Sequence, residues 1–175
     1  SLSGGGSTGG NITLGANKLT VTQADDATYA GAMSGTGGSF AFSGYRLLTL
    51  TGSNVYTSST TVGGTGRLVI GAVNTLPTTT IVTINSGSML DIQANQTVAR
   101  IAGTGTIFNQ GLASNPVLTF GDDTDFTFAG VLSYGASPMS ITKVGTGKVT
   151  LTNTNTYSEY SNQGTTNING GILAL

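Results

Sequence analysis

Few residues in this chain could do chemistry, and nearly all of them are aspartates. The sequence has no histidine and no cysteine, which excludes Ser-His-Asp and Cys-His catalysis and most zinc sites. Glu159 is the only glutamate, so an acid–base carboxylate pair would have to come from Asp25, Asp26, Asp91, Asp122, Asp123 and Asp125. These aspartates stand beside turn residues, with no basic residue near them in sequence. We therefore predict no catalytic residue, no cofactor and no enzymatic activity.

One acidic run could hold a cation. In Gly121-Asp122-Asp123-Thr124-Asp125, three carboxylates, a hydroxyl and loop carbonyls could supply the several oxygens that a hard cation prefers. The alternative is a solvated turn with Asx-type hydrogen bonds. The matching loop at residues 22–26 keeps only two aspartates, so we favour the turn and predict no metal site. Asp122, Asp123 and Asp125 remain the candidate ligands under the cation hypothesis.

The composition predicts an all-β protein with little charge. Thr occurs 31 times and Gly 28 times, while charged residues make up 7% of the chain and the net charge is −1. Thr favours strands and Gly favours turns. The six basic residues are scattered, which argues against nucleic acid because that binding depends on clustered Lys and Arg. The longest apolar runs are also far too short for a membrane-spanning helix, so we predict no membrane insertion.

Two levels of repetition predict the architecture. Residues 19–70 match residues 118–175 block by block, so residues 1–175 are expected to form one repetitive domain. Beneath this, apolar–any–apolar triplets recur, and Leu68/Ile70 and Leu90/Ile92 are about 22 residues apart. Such short strands need stacked neighbours to bury a core. We predict a right-handed parallel β-helix (solenoid) of roughly eight coils with uncapped ends, in preference to an antiparallel sandwich, which would require more two-residue hairpin turns.

The sequence also predicts where the aromatic residues and the acidic residues belong in such a solenoid. Phe40, Phe42, Phe120, Phe126 and Phe128 alternate with small residues and are expected to stack in the core. Tyr56 and Tyr157 are expected at corners with their hydroxyls in solvent. Solenoid enzymes that cleave polysaccharides use clustered Asp, Lys and Arg on one face. The spacing here predicts no such cluster.

The two ends of the sequence fit each other. When Gly171–Leu175 is joined to Ser1–Leu14, the composite has the length and apolar pattern of residues 66–84. Any cut through a degenerate repeat could produce this match. The more specific interpretation is end-to-end self-association of the Ser1–Leu14 end with the Gly171–Leu175 end, because uncapped coils expose unpaired strand edges. A head-to-tail contact that does not close produces fibres.

Two segments, residues 145–157 and 164–175, resemble the autotransporter-associated β-strand repeat. They carry Leu-Thr-Leu-Thr-type, Asn-x-Tyr and Thr-Thr elements in fixed order, and residues 46–70 are similar to a second copy. The resemblance implies a passenger-type β-helix, secreted or on the cell surface of a Gram-negative-type bacterium. It would serve as a fibre, stalk or matrix segment. The alternative is an adhesin segment that binds glycans or other cells through an exposed face rich in Thr, Ser and Asn.

Overall fold

The computed structural model describes residues 2–6, 10–112, 115–158 and 163–175. Within these ranges there are 21 strands and no helix, and every strand pairing is parallel. The chain winds as a solenoid of about seven complete coils followed by a partial last coil. The prediction of an all-β parallel solenoid is confirmed. Right-handed winding remains our prediction, because parallel crossovers within a sheet are almost always right-handed.

Each coil contributes one segment to each of three faces. Face 1 contains β1 (Ile12–Thr13), β4 (Met33–Gly35), β7 (Val55–Tyr56), β12 (Gln96–Val98), β15 (Val117–Phe120), β18 (Ser140–Lys143) and β20 (Thr166–Ile168). Face 2 contains β2 (Lys18–Val21), β5 (Ser39–Phe42), β8 (Thr60–Val62), β10 (Ile81–Ile84), β13 (Arg100–Gly103), β16 (Phe126–Phe128), β19 (Lys148–Leu151) and β21 (Ile172–Ala174). Face 3 contains β3 (Ala27–Tyr29), β6 (Leu47–Leu50), β9 (Arg67–Ile70), β11 (Met89–Ile92), β14 (Thr106–Phe108) and β17 (Val131–Leu132).

Faces 1 and 2 each consist of two sheets that meet without a continuous ladder. On face 1 the irregular segment 74–76 lies between β7 and β12, where Asn54 N donates to Thr75 O (3.1 Å) and Asn74 N donates to Asn95 O (2.9 Å). On face 2 β16 packs against β13. The coils therefore stay stacked through both breaks, and the interior is continuous.

The interior is built from the inward positions of the strands. On face 2 the register places Val21, Phe42, Val62 and Ile84 in one row through successive coils, and all four side chains are buried. The period-two triplets predicted this arrangement because alternate residues of a strand point to the same side. Phe40, Phe42, Phe120 and Phe128 are fully buried, as predicted, while Phe126 is half-buried.

The expectation for the two corner tyrosines is wrong. Tyr56 is fully buried, and its hydroxyl lies 2.6 Å from the Thr60 hydroxyl, which in turn lies 3.1 Å from the Thr80 hydroxyl. Burial raises the pKa of Tyr56 above its ordinary value, although the hydrogen bond with Thr60 opposes this. Tyr157 is also buried. A buried phenol is tolerated because the Thr60 hydroxyl satisfies its hydrogen bond, and Thr80 in turn hydrogen bonds to Thr60.

The long repeat does not repeat in space on the same face. Leu19–Val21 lies on face 2 and its match, Leu118–Phe120, lies on face 1. Leu48–Leu50 lies on face 3 and its match, Val149–Leu151, lies on face 2. The second copy is therefore rotated by one face relative to the first. The motif encodes a strand–corner–strand unit, and any of the three faces can accept it.

Candidate functional site

The acidic run Asp122–Asp125 forms a corner in which each carboxylate has a separate partner. Arg100 Nε donates to Asp122 Oδ2 at 2.6 Å, Thr146 Oγ1 donates to Asp123 Oδ1 at 2.9 Å, and Lys148 N donates to Asp125 Oδ1 at 2.7 Å. Burial shifts the pKa of Asp122 upward, but hydrogen bonds from Thr124 and Arg100 outweigh it, so this pKa lies below its ordinary value.

The three carboxylates thus bind protein groups of their own and the neighbouring coil. Among the described residues, no three acidic side chains converge in a geometry that could hold a metal ion. The hydrogen bonds are those of the solvated-turn alternative, and the structure does not bring the candidate cation ligands together. At this corner, where the hydrogen bonds between backbone groups of neighbouring strands stop, hydrogen bonds to the carboxylates connect the coils instead.

A buried lysine lies near the C-terminal end. Lys143 occupies an inward position of β18 and is fully buried. Its ammonium donates to three carbonyl oxygens, those of Val144 (2.6 Å), Gly145 (2.9 Å) and Gly170 (3.1 Å). The charge is therefore solvated by a backbone corner, and the Gly170 contact ties β18 to the last coil.

We expect Lys143→Met to lower the free energy of unfolding by about 1–3 kcal/mol, because the buried carbonyls lose their donor. Lys148→Met is the matched control. Lys148 is an exposed lysine on β19, and an exposed substitution should change stability by no more than about 0.5 kcal/mol. Urea denaturation of both variants measures the difference. Equal, small effects would show that the Lys143 corner contributes nothing.

A second buried charge lies on the outer side of face 3. Asp91 points outward from β11, yet its side chain is fully buried. Gln110 N donates to Asp91 Oδ1 at 2.9 Å and Gln93 Nε2 donates to Asp91 Oδ2 at 2.7 Å, while Arg67 Nη1 lies 3.7 Å from Oδ2. Burial raises the pKa of Asp91, and the hydrogen bonds and Arg67 oppose the increase. The loop that carries Gln110 thus covers part of this face.

Beside Asp91, a groove of about 430 Å³ runs across face 3. Its lining includes Tyr45, Arg46, Arg67, Met89, Phe108 and Gln110. Tyr45 is 70% exposed. We name this feature the face-3 groove. Sequence reasoning missed it, because its residues, which also include Asp26, come from five successive coils that the sequence alone does not align.

The two ends of the solenoid are the other candidate surfaces. At the C-terminal end, Ile168, Ile172 and Leu175 are exposed by 54%, 58% and 87%. At the N-terminal end, Leu2, Ile12 and Leu19 pack only partly against the core. Ser1 and residues 7–9 of the predicted Ser1–Leu14 contact lie outside the described residues. Both ends present apolar side chains, as predicted.

No family model, curated protein or solved structure matches this chain. The similarity to the autotransporter-associated repeat therefore stays a prediction from sequence pattern. The fold defines the chain as a parallel β-solenoid, and its described residues include no helix that is long and apolar enough to cross a membrane.

Proposed function

We propose that this chain is a structural segment of a fibre, stalk or matrix, secreted or on the surface of a Gram-negative-type bacterium, and that it associates end to end with copies of itself. The resemblance to autotransporter-associated repeats supports the extracellular location. The observation that carries the proposal is the complementary arrangement of the strand segments at the two ends.

The C-terminal edge has unpaired strand groups. Ile141 N donates to Thr165 O (2.8 Å) and Asn169 N donates to Lys143 O (2.9 Å), so the odd-numbered residues around β20 pair with β18. Because alternate residues of a parallel strand pair with opposite neighbours, the backbone groups of Thr166 and Ile168 point to the open edge. An open, apolar edge is a template for another strand.

The N-terminal edge begins on the face where the last coil is incomplete. Residues 2–6 lie on face 3, where Gly4 N donates to Thr28 O (3.0 Å) and Ala30 N donates to Gly4 O (2.8 Å). The last coil has β20 on face 1 and β21 on face 2, and the described residues supply no segment above face 3 there.

The N-terminal and C-terminal ends of the solenoid are therefore complementary in the order of their faces. A copy translated along the axis would place its β1 on β20, its β2 on β21 and its residues 2–6 above the face-3 segment near Thr156, which hydrogen bonds to Leu132. Each face of the copy would continue the same face of its neighbour. With coils about 4.8 Å apart, each copy would add about 40 Å to a stack.

The test is electron microscopy and sedimentation velocity of the 175-residue chain over a concentration series. We expect filaments with an axial repeat of about 40 Å. Single rods at every concentration would contradict association between separate copies. They would leave a longer polypeptide as the only source of a neighbouring coil.

Leu175→Asp should prevent assembly without unfolding the chain. Leu175 follows β21 in register with the inward row of Leu151, so a neighbouring coil would cover it. A carboxylate costs little where the side chain is exposed, but several kcal/mol when it is buried without a partner. We expect at least about a tenfold rise in the concentration needed for filaments.

Leu112→Asp is the matched control for this variant. Leu112 is 88% exposed, almost the same as the 87% of Leu175, but it lies in a side-wall loop. We expect Leu112→Asp to assemble like the parent chain. If both substitutions, or neither, reduced assembly, the end-to-end contact would be wrong.

A further inference from the structure

The outward positions of face 3 differ from those of the neighbouring wall. On face 2 the middle outward row consists of Thr20, Ala41, Thr61, Thr83 and Ala102. The matching middle row of face 3 contains Thr28, Thr49, Val69, Asp91 and Phe108. The row before it contains Leu47, Arg67, Met89 and Thr106 on face 3, and Lys18, Ser39, Ile81 and Arg100 on face 2. The two faces therefore differ most in the middle row, which carries larger side chains on face 3.

The face-3 groove combines an aromatic platform with an apolar floor. Tyr45 stands at one side with most of its ring exposed, while Met89 and Phe108 are half-buried along the floor. The groove, with a volume of about 430 Å³, is shallow and open to solvent. An exposed aromatic ring beside apolar side chains suits a ligand with a flat C–H face.

The polar groups around the groove are planar and nearly balanced in charge. Arg46, Arg67 and Asp26 line the groove. Asp91 is fully buried and does not line it, but Asp91 lies 3.7 Å from Arg67, so the four formal charges cancel. Within the described part of the chain, no acceptor engages the Arg46 guanidinium, so its donors are available to a ligand. Asp91 and its partners hold Arg67 in place. Guanidinium, carboxylate and amide groups suit vicinal hydroxyls, because they donate or accept two parallel hydrogen bonds.

We propose that the face-3 groove binds a neutral oligosaccharide that lies along the solenoid axis. One hexose ring would stack on Tyr45 beside Arg46 and Asp26, and a later ring would lie near Gln110, three coils or about 14 Å farther on. Zero formal charge at the groove disfavours an acidic chain, and the ring above an apolar floor favours a pyranose. The inference does not rest on end-to-end association, since it uses only side-wall residues. It assigns a ligand class and a place to the adhesin alternative, at a site other than the Thr-rich faces.

The test is titration calorimetry of the full chain with cellohexaose, mannohexaose, maltohexaose and, as the acidic comparison, hexagalacturonate. We expect at least one neutral hexasaccharide to bind, and Tyr45→Ala to weaken it by about tenfold or more, the loss of one aromatic stacking contact. Tyr45→Phe keeps the ring and should change affinity by no more than about twofold. Lys148→Ala removes an exposed positive charge from face 2 and should have no effect.

Three outcomes would overturn the proposal. Failure of every neutral hexasaccharide to bind would exclude this ligand class. Tighter binding of hexagalacturonate than of the neutral chains would show that charge governs recognition. Unchanged affinity in Tyr45→Ala, with circular dichroism confirming the fold, would place the site elsewhere on the molecule.

Discussion

Gly103→Ala should lower the free energy of unfolding by roughly 3 kcal/mol or more, which combines left-handed backbone strain with a steric overlap. Gly103 ends β13 with φ +95°, and a Cβ there would overlap the carbonyl oxygen of Ile84 in the coil below. That oxygen accepts from Thr104 N and Gly105 N, both at 3.0 Å. Backbone stacked on backbone cannot move aside as a flexible side chain can. Urea denaturation of the variant measures the loss.

The variant Gly87→Ala separates the backbone strain from the steric overlap. Gly87 also has positive φ, +76°, but a Cβ there would meet no atom within 4 Å. This variant should therefore show only the backbone strain, about 1–2 kcal/mol. If Gly103→Ala cost no more than Gly87→Ala, the close approach of the coils at this corner would be wrong.

Phe42→Ala should cost about 3–5 kcal/mol, the range for emptying a buried aromatic site. Phe42 is fully buried and lies in the inward row between Val21 and Val62. The cavity cannot be filled easily, since the rows on both sides are fixed by parallel ladders. Thermal and urea unfolding of the variant measure the effect.

Phe42→Leu is the conservative control for this site. It keeps an apolar side chain in the row and should cost about 1.5 kcal/mol or less. Because each coil contacts only its neighbours, the loss in Phe42→Ala should also appear first as faster hydrogen exchange in β2, β5 and β8. A uniform increase in exchange along the whole chain would contradict this nearest-neighbour picture.

The fold could be predicted from sequence because its signal is local and repeated. Triplets such as Leu68/Ile70 and Leu90/Ile92 mark inward rows by alternation alone, and their spacing sets the length of a coil. The exposed apolar residues Ile168 and Leu175 at the C-terminal end follow from the same pattern, since an inward row that continues past the last coil has nothing to cover it.

The groove and the buried polar residues could not be predicted, because they depend on which coils are neighbours on which face. Tyr45 and Phe108 are distant in sequence and line one groove only because β6, β9, β11 and β14 stack. Lys143 occupies an inward position by register, but the carbonyls that solvate it belong to corners. Tyr56 was misplaced because an Asn-x-Tyr turn does not reveal whether its ring points in or out. The alternation of apolar and polar residues shows which side chains of a strand point inward. It gives no such information at the corners, where the regular strand is interrupted.

The rotation of the second repeat copy has a consequence for the surface of the rod. From β2 to its match β15 the chain passes through four coils and two further face segments. Side chains that the motif displays outward therefore point in two directions, a third of a turn apart. A copy in phase would have lined up like side chains along one face of the solenoid. The rotated copy displays them on two faces instead, so no single face repeats the outward side chains of the motif.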